Sequence, residues 1–213
     1  IGANEWQENI DNNAFTNGMA ITSLRYATQA AIALGIEANP DWSHVADNIP
    51  ILKFENGVTK ENATYNGETI KQADANLLSY PLDIVHTQAD IKKDLEYYAP
   101  KYAKDGPAMG VSILVVLYCK LGMYAEAEKV FANSYKPNEV PPFGVISECA
   151  GGTNPYFATG AGGMLQAVLS GFGGLTIGQN GISQLPNRAL PSTWKSLTIT
   201  GVGKEKKTFV VHN

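Results

Sequence analysis

Cysteine and histidine are scarce in this chain, with two of the first and three of the second among 213 residues. Cys119 lies in an apolar stretch and Cys149 in a Gly-rich one. They make neither a disulfide framework nor a metal set, and both read as free thiols. None of the histidines has a ligand-type partner at helical spacing, so the sequence places no metal. An excess of basic residues is also missing. Sixteen Lys and Arg stand against 20 Asp and Glu, a formal charge of −4, and the basic residues are scattered. The phosphate-neutralising footprint of a nucleic-acid binder is therefore absent. No apolar run approaches the roughly 18 residues of a membrane span; the nearest, Val111 to Tyr118, has the length of a buried helix segment.

The first residue is Ile rather than Met, and no charged, apolar, small-residue leader follows it. This reads as a fragment or a processed chain. Asn62-Ala63-Thr64 fits a glycosylation sequon and hints at secretion, but a match this short arises by chance about once in a chain of this size. The compartment stays open, with a secreted or periplasmic location favoured.

What is present is enough apolar content, 44%, to build a real core. From Thr16 to Leu34 apolar residues recur at three- and four-residue steps and Gly35 follows as a stop, which predicts a helix. A short helix is expected over Asp41 to Asn48, and a turn with extended arms in "ILKFENGV", residues 51 to 58. Further helices are expected at about Glu68 to Leu78, Thr87 to Tyr98, Pro107 to Leu121 and Tyr124 to Asn133, the last two joined tightly at Gly122. A long Pro- and Gly-rich stretch then precedes a helix over about Gly162 to Leu169. From Leu175 the alternation in "LTIGQNGISQL", "SLTITGV" and "KTFVVHN" reads as strands. Helices followed by strands indicate an α-helical domain with the beginning of a β domain.

Two carboxylates stand out. Glu5 belongs to "NEWQENIDNNAFTN", a polar run ahead of the first helix, where acidic residues commonly serve as caps, Glu5 and Glu8 alike. Trp6 beside Glu5 offers a second reading, since an aromatic ring supplies a stacking face for a sugar and can desolvate an acid. Glu148 sits in "ISECAGG", with almost no other charge from Val140 to Gln179. A lone carboxylate in such a loop is either costly or useful. Two carboxylates distant in sequence are what glycoside hydrolysis requires, one to protonate the departing oxygen and one to activate water or attack carbon. Lys71 and Gln72, in "IKQAD", carry donors for sugar hydroxyls, or else form an ordinary solvated helix face.

These segments resemble glycoside hydrolase family 65. "NEWQENIDNNAFTN" resembles the family's "PDEYHExVDNNAYTN" segment, with Glu5 at the position of the general acid. "KQAD" followed by "YPL" resembles its Lys-Gln sugar-binding segment. "DLEYYAPKYAKDGPAMGVSI" and "PPFGVISECAGGTNPYFATGAGGMLQAVLSGFGGL" resemble its helix pair, its catalytic loop and its final barrel helix. The resemblance implies a mainly α fold. Residues 1–174 would be the second half of an (α/α)6 catalytic barrel, and residues 175–213 the start of a C-terminal β domain.

It also implies inverting chemistry on an α-glucoside substrate with neither metal nor organic cofactor. Phosphorolytic members carry a Ser/Thr-rich loop where this chain has Glu148-Cys149-Ala150-Gly151-Gly152, which resembles the hydrolytic members instead. By carry-over, Glu5 is the protonated acid, Glu148 the ionised base, Lys71 and Gln72 hold the glucose ring, and Trp6 lines it. A single displacement of this kind needs the carboxyls roughly 6.5 to 9.5 Å apart. Trehalose- and kojibiose-like disaccharides are the expected substrates. An inverting disaccharide phosphorylase and a non-catalytic sugar-binding helical domain are the alternatives. Asn4 and Gln7 depart from the family's Asp and His, which bears on the leaving group more than on catalysis. The family's upstream β-sandwich and the first barrel half have no counterpart here. The expected partner is therefore that N-terminal half, or a second copy of the chain covering the open apolar face.

Overall fold

The first helix starts where an amide can close it. Asn13, in extended backbone, accepts the Thr16 N–H on its side-chain oxygen and caps α1 (Ala14–Leu34), so the cap is neither Glu5 nor Glu8. Gly35 ends the helix at φ 67°, and its N–H returns to the Ala31 and Ile32 carbonyls. In this computed structural model, which describes residues 1–154 and 156–213, the chain divides into two compact units, Ile1–Ile70 with Asp74–Lys101 and Lys71–Ala73 with Tyr102–Asn213.

The first unit contains α1, α2 (Pro40–Asn48) and α3 (Gln88–Tyr98). The turn expected in residues 51 to 58 is present: Gly57 has φ 81°, and the arms meet in an antiparallel bridge between Lys53 and Thr59. α1 buries mostly small residues, Ala14, Gly18 and Ala31 together with Ile21. A Cβ at Gly18 would lie 3.0 Å from the Leu82 side chain and 3.2 Å from that of Ile84, so a larger residue would force the helix off its neighbours. An aromatic cluster forms part of this core, beside aliphatic residues such as Leu78, Ile91 and Leu95. Tyr65 stacks on Tyr98 at 5.8 Å between ring centres, and the buried Tyr98 hydroxyl donates to the Thr59 carbonyl at 2.7 Å.

The helix expected over Glu68 to Leu78 is not formed. Only Ala75–Leu78 coils, as a short 3-10 segment. Asp74 sits at φ −134°, ψ −82°, outside the helical region. Its carboxylate instead accepts the Asn4 and Phe15 backbone N–H groups and the Asn13 side-chain amide. Tertiary hydrogen bonding has overridden a modest local propensity. Lys71 and Gln72 therefore lie in irregular backbone and not at a helix start.

The second unit contains α4 (Met109–Lys120), α5 (Tyr124–Phe131) and α6 (Ala158–Gln166). α4 and α5 form the expected hairpin, with Gly122 at φ 73° in the connection. α6 starts earlier than the spacing suggests and continues as a wider π turn over Ala167–Phe172. Gly163 lets it approach α4 closely: a Cβ there would be 3.0 Å from the Ser112 hydroxyl. Within the Pro- and Gly-rich stretch, β1 (Glu139–Val140) pairs with β2 (Val145–Ile146).

The strands expected after Leu175 form two antiparallel hairpins, β3 (Leu175–Gly178) with β4 (Gly181–Gln184) and β5 (Ser196–Val202) with β6 (Lys207–His212). Val211 of β6 joins Val115, Cys119, Ala127, Ala167, Phe172 and Leu190 in one buried cluster, with Trp194 and Leu197 packed against it. Cys119 is buried and Cys149 exposed, and both are free thiols. Among the described residues, no helix is long and apolar enough to cross a membrane.

Candidate functional site

In the second unit, Lys71 and Glu148 come together. Lys71 Nζ lies 3.4 Å from Glu148 Oε1, with the two side chains 20% and 38% exposed. Two features bring the Lys71 segment into place. A Cβ at Gly106 would lie 2.9 Å from the Lys71 carbonyl oxygen, and one at Gly110 would lie 2.6 Å from the Tyr102 ring and 3.2 Å from the Ala73 nitrogen. Only a residue without a side chain permits either approach. Gln72, beside Lys71, is buried.

Glu148 is held from its backbone on both sides. The buried Asn138 amide donates to the carbonyls of Glu148 at 2.9 Å, Ser147 at 3.2 Å and Gly106 at 3.4 Å. In return the Ser147 N–H donates to the Asn138 carbonyl at 2.8 Å, and the Ser147 hydroxyl donates to the Cys149 carbonyl at 2.6 Å. The Ala150 N–H reaches the Asp105 carbonyl at 3.2 Å. The result is a carboxylate on a fixed loop, open to solvent and flanked by a cation. Such a carboxylate can accept a proton or bind a hydroxyl, and the ammonium can bind a further hydroxyl. Because one side-chain amide ties three carbonyls together, Asn138→Ala is expected to destabilise the protein by about 1–3 kcal/mol. Urea unfolding checks this, and an unchanged midpoint would contradict the role given to Asn138.

In the first unit, Glu5 and Trp6 occupy an exposed turn, Trp6 being 54% exposed. The turn rests on a buried polar layer of Asn4, Asn13, Glu61 and Asp74. Asn4 donates its N–H to Asp74 Oδ2 at 3.1 Å and its side-chain amide to Glu61 Oε1 at 2.7 Å. Asn13 donates to Asp74 Oδ2 at 2.8 Å and to the Glu61 carbonyl at 3.2 Å. Burial, then the neighbouring Asp74 charge, raises the Glu61 carboxyl to about 8, and burial raises Asp74. Gln7 is fixed between the Asn62 amide, which donates to it, and Glu68. Asn62 is itself fully buried, so the sequon is closed to modification in the folded chain.

Sequence reasoning singled out Glu5, Trp6, Lys71, Gln72 and Glu148. It marked Asn4 only as a departure from the family pattern, and it missed Asn13, Glu61, Asp74 and Asn138. Asp74 was within reach, as the one carboxylate in "IKQADANLL"; the buried amides carry no pattern that separates them from surface asparagines.

No protein-family model matches the chain. A kojibiose hydrolase of Mucilaginibacter mallensis is 57% identical over 212 residues, which is 99% of this chain and 31% of that protein. An acid trehalase of Emericella nidulans is 37% identical over 185 residues, 81% of this chain and 18% of that protein. A solved structure named for a kojibiose phosphorylase from human microbiome superposes over 100% of this chain and 33% of its own, with a TM-score of 0.73 at 16% identity, a likeness of fold alone. The chain thus spans about a third or less of the length of these relatives. Over nearly its whole length the chain matches part of proteins of the glycoside hydrolase family 65 type that its four segments resemble.

Proposed function

We propose that the protein hydrolyses α-glucosides, releasing β-glucose by a single inverting displacement. Glu5, protonated, gives its proton to the glycosidic oxygen; Glu148, ionised, draws a proton from the water that attacks the anomeric carbon from the opposite face. Lys71 and Gln72 hold hydroxyls of the glucose ring, and Trp6 supplies an apolar face to it. The observation that carries this reading is the Glu148 carboxylate on its fixed loop, 3.4 Å from Lys71. Two residues picked out separately for sugar chemistry are neighbours there. Relatives that are a kojibiose hydrolase and an acid trehalase support hydrolysis over phosphorolysis. Kojibiose and trehalose are accordingly the first substrates to offer.

In the same reading, the helices are part of an (α/α)6 barrel, and residues 175–213 begin a β domain that packs on it. A complementary barrel half, or a second copy of the chain, covers the apolar side chains left open on the first unit. Tyr26, Ile32, Leu34 and Ile36, 60% to 74% exposed, support this. The test is glucose release from kojibiose, trehalose and nigerose by the full-length enzyme in phosphate-free buffer. Release supports hydrolysis; release only after phosphate is added would replace it with phosphorolysis.

A further inference from the structure

Below the exposed turn of the first unit, two carboxyls share a space without water-facing surface: Glu61 and Asp74 are both fully buried. Asn4 links them, its backbone N–H on Asp74 and its side-chain amide on Glu61. Asp74 is well supplied with donors, three of them from Asn4, Asn13 and Phe15, which favour its ionised form against the burial that raises it. Glu61 is not. Its Oε1 accepts from Asn4, while its Oε2 has no hydrogen-bond partner among the described residues. The charged groups acting on it are the Asp74 and Glu68 carboxylates, both of like sign. Tyr65 and Tyr98, whose hydroxyls donate to the Glu68 and Thr59 carbonyls, complete its titratable surroundings. An unpartnered buried O–H is far cheaper than an unpartnered buried O⁻, so Oε2 is the place for a proton.

We propose that Glu61 is a positioning residue: kept as the neutral acid beside the Asp74 carboxylate, it holds Asn4 and with it the turn that carries Glu5 and Trp6. The Asn4 side-chain oxygen in turn lies 3.4 Å from the Trp6 N–H, and the Asn4 carbonyl accepts the Gln7 N–H at 3.4 Å, so displacing Asn4 loosens the whole turn. The sign of the pH dependence follows. The Glu61 carboxyl is raised in the fold from 4.5 to about 8. Its contribution is therefore fully present below the unfolded value and is lost as pH rises through the folded one, when two negative charges would share the buried layer. The proposal deepens the reading of Glu5 as the acid, and rests on that reading only for its effect on turnover.

The test is amide hydrogen exchange on the full-length protein at pH 6 and pH 9, expressed as protection factors, with Leu117 of α4 as the internal reference. In the parent, protection at Asn4 and Trp6 should fall by about tenfold relative to Leu117, the coupling expected one pH unit above the ionisation. In Glu61→Gln, which is neutral at both pH values, it should stay level. Protection that is flat in the parent, or that falls equally in both proteins, would overturn the proposal. The parent titration stands even if the variant does not fold. Turnover of kojibiose and trehalose is read separately. If exchange responds as expected while neither protein hydrolyses them, Glu61 still positions the turn and the hydrolytic reading fails.

Discussion

Glu148→Gln is expected to hydrolyse α-glucosides about 10²–10⁴-fold more slowly than the parent enzyme, the range associated with loss of a general base. The substitution keeps the size of the side chain and leaves its loop intact, because Asn138, Ser147 and Ala150 hold that loop through backbone groups and not through the Glu148 carboxyl. Substrate binding is expected to survive, so the loss falls on kcat with KM changed little. The result separates two mechanisms. In a hydrolase, water must lose a proton as it attacks, and the amide cannot take it. In a phosphorolytic enzyme, phosphate is the nucleophile, already ionised, and Glu148→Gln would leave that reaction largely intact. Steady-state rates with and without phosphate decide between them.

Glu5→Gln is expected to be as damaging for disaccharides, about 10²–10⁴-fold in kcat, but selectively so. A sugar alkoxide is a poor leaving group and needs the acid's proton as the glycosidic bond breaks; fluoride does not. The variant should therefore cleave α-glucosyl fluoride at a rate close to the parent's while failing on kojibiose and trehalose. Equal loss on both substrates would mean that Glu5 acts on the fold or on binding, and equal retention would mean that it does not touch the reaction. This comparison is informative because Glu5 is exposed, while the Asn4 hydrogen bonds to Asp74 and Glu61 beneath it are made by other residues.

Much of the helical scaffold was legible from spacing and stop signals. α1 ends at Gly35, α3 begins after its Thr87 cap, and α4 and α5 turn about Gly122, each for a local reason that the sequence displays. The strands β3 to β6 were legible from alternation, but not their pairing into two hairpins. The segment from Glu68 to Asp74 was not, because its conformation is set by donors at Asn4, Asn13 and Phe15, some sixty to seventy residues earlier. Local periodicity carries no trace of such partners.

The candidate site divides in the same way. Glu148 announced itself as a charge in a loop nearly without charge, and Lys71 through its segment; that the two meet at 3.4 Å could not be read from positions 77 residues apart. Asn138 was hidden for a related reason. An asparagine after proline reads as a turn former, whereas here its amide is buried and spans three carbonyls. Glu61 sits in "ENATYN", where the sequon drew attention to Asn62 and not to the buried acid beside it.

Proton NMR of the full-length enzyme acting on kojibiose or trehalose in phosphate-free buffer, with the anomeric signals followed from the first minutes, tests the account most directly. β-Glucose appearing ahead of its mutarotation equilibrium is the expected result, since water attacking opposite the leaving group inverts the anomeric carbon. α-Glucose appearing first, or no product until phosphate is supplied and then β-glucose 1-phosphate, would contradict the assignment of Glu5 as acid and Glu148 as the base for water.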